Sequence, residues 1–139
     1  MNTMRHHPPK AVHLTEDALK QVWASNRGAI LDGTMGFALL YGKRRPRLTV
    51  TLLLADDDSP KQRREKQRRI RAEGLVLLGH TRAVTETTVH RKNGSREFFP
   101  HPPVGYVFLI RHRLGPHNKF YATTYDGIAA TQVPIRHAK

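Results

Sequence analysis

Eleven lysines and arginines crowd positions 43–71 of this 139-residue chain, and they set the chemistry it can offer first. Lys43, Arg44, Arg45 and Arg47 surround Pro46. Lys61, Arg63, Arg64, Lys66, Arg68, Arg69 and Arg71 follow in a single run, interrupted among acids only by Glu65. Guanidinium and ammonium groups pair with phosphate oxygens, arginine through a planar fork and lysine as a point charge. Cations this dense, with few apolar neighbours, suit contact with a phosphate backbone better than the reading of base edges. Only Gln62 and Gln67 add side chains shaped to pair with adenine. The expected function is therefore a small nucleic-acid-binding protein that grips phosphate, with DNA and RNA both open as the polymer. Zinc-finger spacing, zipper heptads and the aromatic pattern of RNA-recognition strands are all absent from the sequence.

Two other chemistries compete with it. His80, His90, His101 and His117, with Arg82, could run metal-independent RNA cleavage. One imidazole would take the 2′-hydroxyl proton, a second would protonate the leaving oxygen, and the cation would stabilise the phosphorane. His80 follows Gly79 at the end of an apolar run, a common place for a cleft residue. No H-x-H, H-x-x-x-H or Ser/His/Asp arrangement accompanies it, so the binding reading ranks above an enzyme. The third reading is a protein-interaction module whose basic segment docks on an acidic partner. Phe98-Phe99 and Phe120-Tyr121 lie beside cations and could stack bases, although paired aromatics in strands usually pack inward. Asp56-Asp57-Asp58 could hold a divalent cation, but three acids just before a helix are better explained by the helix dipole. No phosphate-binding glycine loop occurs, and neither a metal nor a cofactor is expected.

The composition agrees with a polyanion partner. Lys and Arg number 24 against 11 Asp and Glu, a formal net charge of +13 with nine histidines uncounted. Such a surplus repels itself and attracts polyanions. The absence of cysteine excludes thiol nucleophiles, disulfides and Cys-ligated zinc. The longest apolar runs are five residues, far short of the roughly 20 a membrane helix needs. The N-terminus has no apolar stretch of the secretory kind. These features predict a cytoplasmic protein, with no membrane partner, of the bacterial or phage accessory kind.

The elements that must position these residues are readable in outline. Residues 1–10 carry Pro8-Pro9 and read as a flexible tail, and 11–139 as one domain. Leu14, Thr15, Glu16 and Asp17 open a helix over 14–27, with Ala18, Leu19, Val22 and Trp23 as its apolar stripe and Gly28 as its C-cap. Trp23 is expected in the core. Residues 36–55 read as a hairpin with the four cations at its tip, Leu48, Val50, Leu52 and Leu54 facing one way. Ser59, Pro60 and Gln62 make a capping box for a second helix over 59–73, closed by Gly74. Only Ile70 and Ala72 of that helix could face a core. Leu75 to Leu78 reads as a buried strand, 84–99 as an Asn93-Gly94 hairpin, 106–110 as a core strand, and 119–124 and 128–135 as the last two, Pro134 favouring an edge. The expected class is α+β: a largely antiparallel sheet of about seven or eight short strands, one packed amphipathic helix and one exposed basic helix.

Overall fold

The computed structural model describes residues 9–32, 37–84, 102–114 and 117–138. Among them the chain is α+β, with two helices and one eight-stranded, mostly antiparallel sheet. In chain order these are β1 (Val12–Leu14), α1 (Glu16–Asp32), β2 (Ala38–Lys43), β3 (Thr49–Ala55), α2 (Pro60–Glu73), β4 (Val76–Val84), β5 (Val107–Leu114), β6 (His117–Tyr125), β7 (Ala130–Val133) and β8 (Ile135–His137). The spatial order is β7-β6-β5-β4-β2-β3-β1-β8. Four neighbouring pairs are antiparallel, while β1·β3, β1·β8 and β4·β5 are parallel. The parallel β4·β5 pair requires a long connection between its strands.

β7 and β8 lie at opposite ends of this order, yet only Pro134 separates them in sequence. Two Cα steps span at most about 7.6 Å. The two edges of the sheet are therefore drawn together, and the sheet curls nearly into a barrel. β8 is held to β1 by Val12 N–H donating to the Pro134 carbonyl (2.9 Å) and Ala138 N–H donating to that of Leu14 (2.8 Å). Pro134 thus sits at the junction of two strands and not within an edge strand, since a residue without N–H fits the corner where the ladder changes sides. β1 is a strand that the sequence reading assigned to the run-up to the first helix. Three residues are too few to show a period, and partners on both sides hold them.

The inner face of the curl is filled by Leu14, Leu40, Val50, Leu53, Leu78, Val107 and Leu109, with Ala18 and Val22 of α1 set against them. Ala18 and Val22 are one helical turn apart and so share a face. Thr15 Oγ1 accepts from Ala18 N–H (3.1 Å) and caps α1. The helix runs on through Gly28 to Asp32, so Gly28 is not its cap; glycine inside a helix costs only about 1 kcal/mol. Trp23 is also displaced from its expected place. It stays 37% exposed at the rim, stacked on Phe120 at 4.9 Å between ring centroids, with the Arg111 guanidinium 4.5 Å above its ring.

Two bulges re-aim the strands. β3 pairs Tyr41 with Leu52 but Gly42 with Val50, so Thr51 is an extra residue and the alternation flips there. Leu53 and Ala55 consequently join Val50 in the inner core, and Leu52 and Leu54 point the other way, a correction to the simple alternation. β4 has a matching irregularity that inserts Leu78. Leu75 and Leu78 are buried while Val76 and Leu77 stay exposed, so this run is not a strand buried on both faces. The hairpin expected over 84–99 lies outside the described residues, apart from the end of β4. No helix among the described residues is long and apolar enough to cross a membrane.

Candidate nucleic-acid interface

α2 begins as its sequence dictates. Ser59 Oγ accepts from Gln62 N–H (3.1 Å), and Gln62 Oε1 accepts from Ser59 N–H (2.9 Å). Pro60 occupies the first turn, and Gly74 closes the helix in the left-handed region at φ 65°. No residue of α2 is buried. Its hold on the sheet is polar. Arg63 Nη2 donates to the Ala55 carbonyl (3.0 Å), and Lys66 Nζ lies 2.8 Å from Asp58 Oδ2, a carboxylate that also accepts from Ala55 N–H (2.9 Å). Asp58 is thereby committed as an anchor. Ile70 is the half-buried apolar contact, while Ala72 is exposed and does not share the core-facing role expected of it.

Arg63, Lys66 and Ile70 recur at intervals of three and four, so they form one face. Lys61, Arg64, Arg68 and Arg71 recur at three, four and three, and all four are exposed. At 100° per residue this second set lies in an arc of about 80° on the side away from the anchors, and it is about 15 Å long. None of these four makes a hydrogen bond or ion pair with another described residue. Arg69 is different, because its Nε is 2.9 Å from Glu73 Oε2. Glu65 forms no ion pair among the described residues.

The helix and the hairpin tip share one end of the molecule. α2 leaves β3 at Ala55, runs back beside it, and delivers the chain through Gly74 and Leu75 to Val76, which pairs with Gly42. Lys43 follows directly. The C-terminal end of α2 and the cations at 43–47 therefore lie toward the same end of the sheet. Gly42 is required at this point, because a Cβ there would collide with the Thr49 carbonyl. Lys43, Arg44, Arg45 and Arg47 are exposed. Arg44 Nη1 donates to the Gly105 carbonyl (3.2 Å) and ties the tip across to the turn before β5.

That tie closes a cleft of about 590 Å³ over the mouth of the curled sheet. Its walls are the lead into β1 (residues 9–11 and 13), the hairpin tip (44–48), the turn at 104–105 and the end of β6 (124–126). Lys10, Arg44, Arg45 and Arg47 line it against a single carboxylate, Asp126. Backbone N–H groups of Ile128 and Ala129 bind Asp126 Oδ1 at 2.8 and 2.9 Å and hold this carboxyl below its ordinary pKa. Sequence reasoning found the tip cations but not Lys10, which it placed in a tail, nor the cleft itself.

The two histidine candidates among the described residues, His80 and His117, are not gathered in this way. His80 is buried on the outer face among Phe37, Tyr106 and Phe108, with ring centroids at 5.0, 5.5 and 5.2 Å. Its Nδ1 is 2.9 Å from the Tyr106 hydroxyl. Burial, aided by the Arg82 charge, lowers its pKa to about 4, and burial raises that of Tyr106 to about 12. Arg82 is half-buried on the same face; burial lowers its pKa against the opposing influence of the Tyr121 phenol. His80 pairs with Phe108, whereas His117 pairs with Leu114, six residues farther along β5 and about 20 Å away. The two backbones are not at one site. His90 and His101, with Phe98 and Phe99, lie outside the described residues. Phe120 is occupied by Trp23.

No protein-family model matches the sequence. No curated protein matches it either. Among solved structures, the chain is similar to the solution structure of protein DSY2949 from Desulfitobacterium hafniense, a structural-genomics target, with a TM-score of 0.58 and 16% identity over 92% of this chain and 93% of that one. At this identity the likeness concerns the fold alone.

Proposed function

We propose that this protein binds nucleic acid through the phosphate backbone, without reading sequence, using the exposed face of α2 and the tip of the β2–β3 hairpin. The observation that carries the reading is the division of labour on α2. The cations that hold the helix to the sheet, Arg63 and Lys66, are on one side, and Lys61, Arg64, Arg68 and Arg71 stand unpaired in a row on the other. An ordinary solvated helix intersperses signs and pairs its charges at i,i+4. Here the row faces outward, and the helix ends toward the end of the sheet that carries the tip cations. Phosphate contacts of this kind fix position and supply affinity without sequence preference.

The test is a titration of the purified protein against labelled RNA, single-stranded DNA and duplex DNA, at two salt concentrations and with EDTA, followed by recovery of the nucleic acid on a gel. Intact complexes that weaken steeply with salt are expected. Shortened RNA would instead favour histidine-based cleavage. Absence of any complex at low salt would redirect the basic row to an acidic protein partner.

A further inference from the structure

The cleft at the sheet mouth has properties that a backbone-gripping surface does not need. It is concave, its volume of about 590 Å³ is that of a small-molecule site, and its two walls differ in chemistry. One wall presents Lys10, Arg45 and Arg47. The other presents Tyr125 and Val104, the latter 42% exposed. His13, on β1, lines the same cleft, and its Nδ1 is buried with no hydrogen-bond partner. A buried, unpartnered ring nitrogen costs about 1–3 kcal/mol unless something in the site satisfies it. The Tyr125 hydroxyl donates to the Gly127 carbonyl at 2.9 Å, which holds the ring in place as a wall.

We propose that this cleft is a binding site for one nucleotide-sized phosphomonoester, its phosphate on Lys10, Arg45 and Arg47 and its ring against Tyr125 and Val104. A dianionic phosphate answers the cationic wall. A flat heterocycle answers the apolar wall. Neither half alone fills the cleft. The ligand is either a free nucleotide or the phosphorylated end of a strand, since both present the same group. The inference shares Arg45 and Arg47 with the backbone-binding reading but not the row on α2, which contributes nothing to the cleft.

Calorimetric titration of the full chain with AMP, adenosine and inorganic phosphate, at moderate salt, tests it. Saturable binding of one AMP per chain is expected, with adenosine and phosphate each at least about tenfold weaker, a difference near 1.4 kcal/mol. Arg45→Glu/Arg47→Glu, at exposed positions, should weaken AMP at least about tenfold, and Arg64→Glu/Arg68→Glu should leave it within about twofold. No saturable AMP binding by about 1 mM, or equal binding of AMP and adenosine, overturns the proposal. So does loss of AMP in the α2 variant with retention in the tip variant. Loss of polymer binding in the α2 variant while AMP still binds keeps the cleft site; polymer binding unchanged by that variant refutes the α2 reading alone. Competition against AMP by an oligonucleotide with and without a 5′-phosphate then identifies the source. Preference for the phosphorylated strand assigns a strand end, no competition by either strand assigns a free nucleotide, and equal competition by both overturns the phosphomonoester proposal.

Discussion

The unpaired row on α2 makes a quantitative demand on binding. Each phosphate neutralised on duplex DNA contributes about −0.9 to the slope of log K against log salt. Lys61, Arg64, Arg68 and Arg71, with Lys43, Arg45 and Arg47 at the tip, are exposed and have no partner among the described residues. If all of them engage, the slope approaches −6, and doubling the salt weakens binding by roughly 80-fold. Arg64→Ala/Arg68→Ala should bring the slope to about −4.5 and the loss per doubling to roughly 20-fold. Neither side chain makes a hydrogen bond or ion pair with another described residue, and removing both relieves the repulsion along the row, so stability should not fall and should rise by up to about 2 kcal/mol before screening. Lys20→Ala, which removes an exposed α1 cation paired with Glu16, is the control and should not alter the slope. Fluorescence anisotropy with a labelled duplex at four salt concentrations gives all three slopes. A double variant whose slope equals that of the parent refutes the reasoning, as does a parent slope shallower than about −2.

Three further outcomes concern the scaffold. His80 is held near pKa 4 when folded against 6.5 ordinarily, so between those values the unfolded chain binds the extra proton. Stability should rise with pH from about 4 to about 6.5 by on the order of 3 kcal/mol and contribute no further slope above that. Urea midpoints across this range should show the rise in the parent and a flatter profile in His80→Phe; identical profiles refute it. Ser59→Ala removes half the capping box and should lower stability by about 1 kcal/mol, with faster amide exchange confined to the first turns of α2. Gly79→Ala would drive a Cβ into the Val107 backbone and part β4 from β5, a loss of at least about 3 kcal/mol; Gly74→Ala, with open space but φ at 65°, should lose only about 1. Similar melting points for the two glycine variants would contradict the close strand approach.

The sequence was most legible where local chemistry settles the answer. Ser59, Pro60, Gln62 and Gly74 mark both ends of α2 because capping depends on residues within one turn. The β2–β3 hairpin and its cationic tip were legible for a similar reason. The face on which each leucine of β3 falls was not. It depends on one extra residue, Thr51, and a bulge is set by pairing with a strand elsewhere. β1 was hidden because it is three residues long and exists only through β3 and β8. The cleft was the least legible feature. It joins positions 10, 45, 104 and 125, which meet because Pro134 brings the sheet edges together and Arg44 reaches Gly105. Alternation and charge runs carry no information about such closure.

The burden of charge on α2 helps to explain why its ends and anchors are built as they are. Neighbouring cations at helical spacing, about 6 Å apart, repel by about 0.7 kcal/mol in water before screening. Three such steps along Lys61, Arg64, Arg68 and Arg71 sum to about 2 kcal/mol, and no buried apolar side chain on the helix offsets it. The capping box contributes about 1 kcal/mol. The rest falls to Arg63 on the Ala55 carbonyl and to the Lys66–Asp58 pair, whose side chains are only 21% and 10% exposed. A helix held by its ends and by one polar face can carry a repelling row on the other without melting. A polyanion laid along that row would turn the repulsion into attraction, so the feature that weakens the isolated helix is also the one that favours its ligand. Substituting glutamate for alternate members of the row would relieve the repulsion, but it would remove the only long uncompensated charge on the described surface of α2.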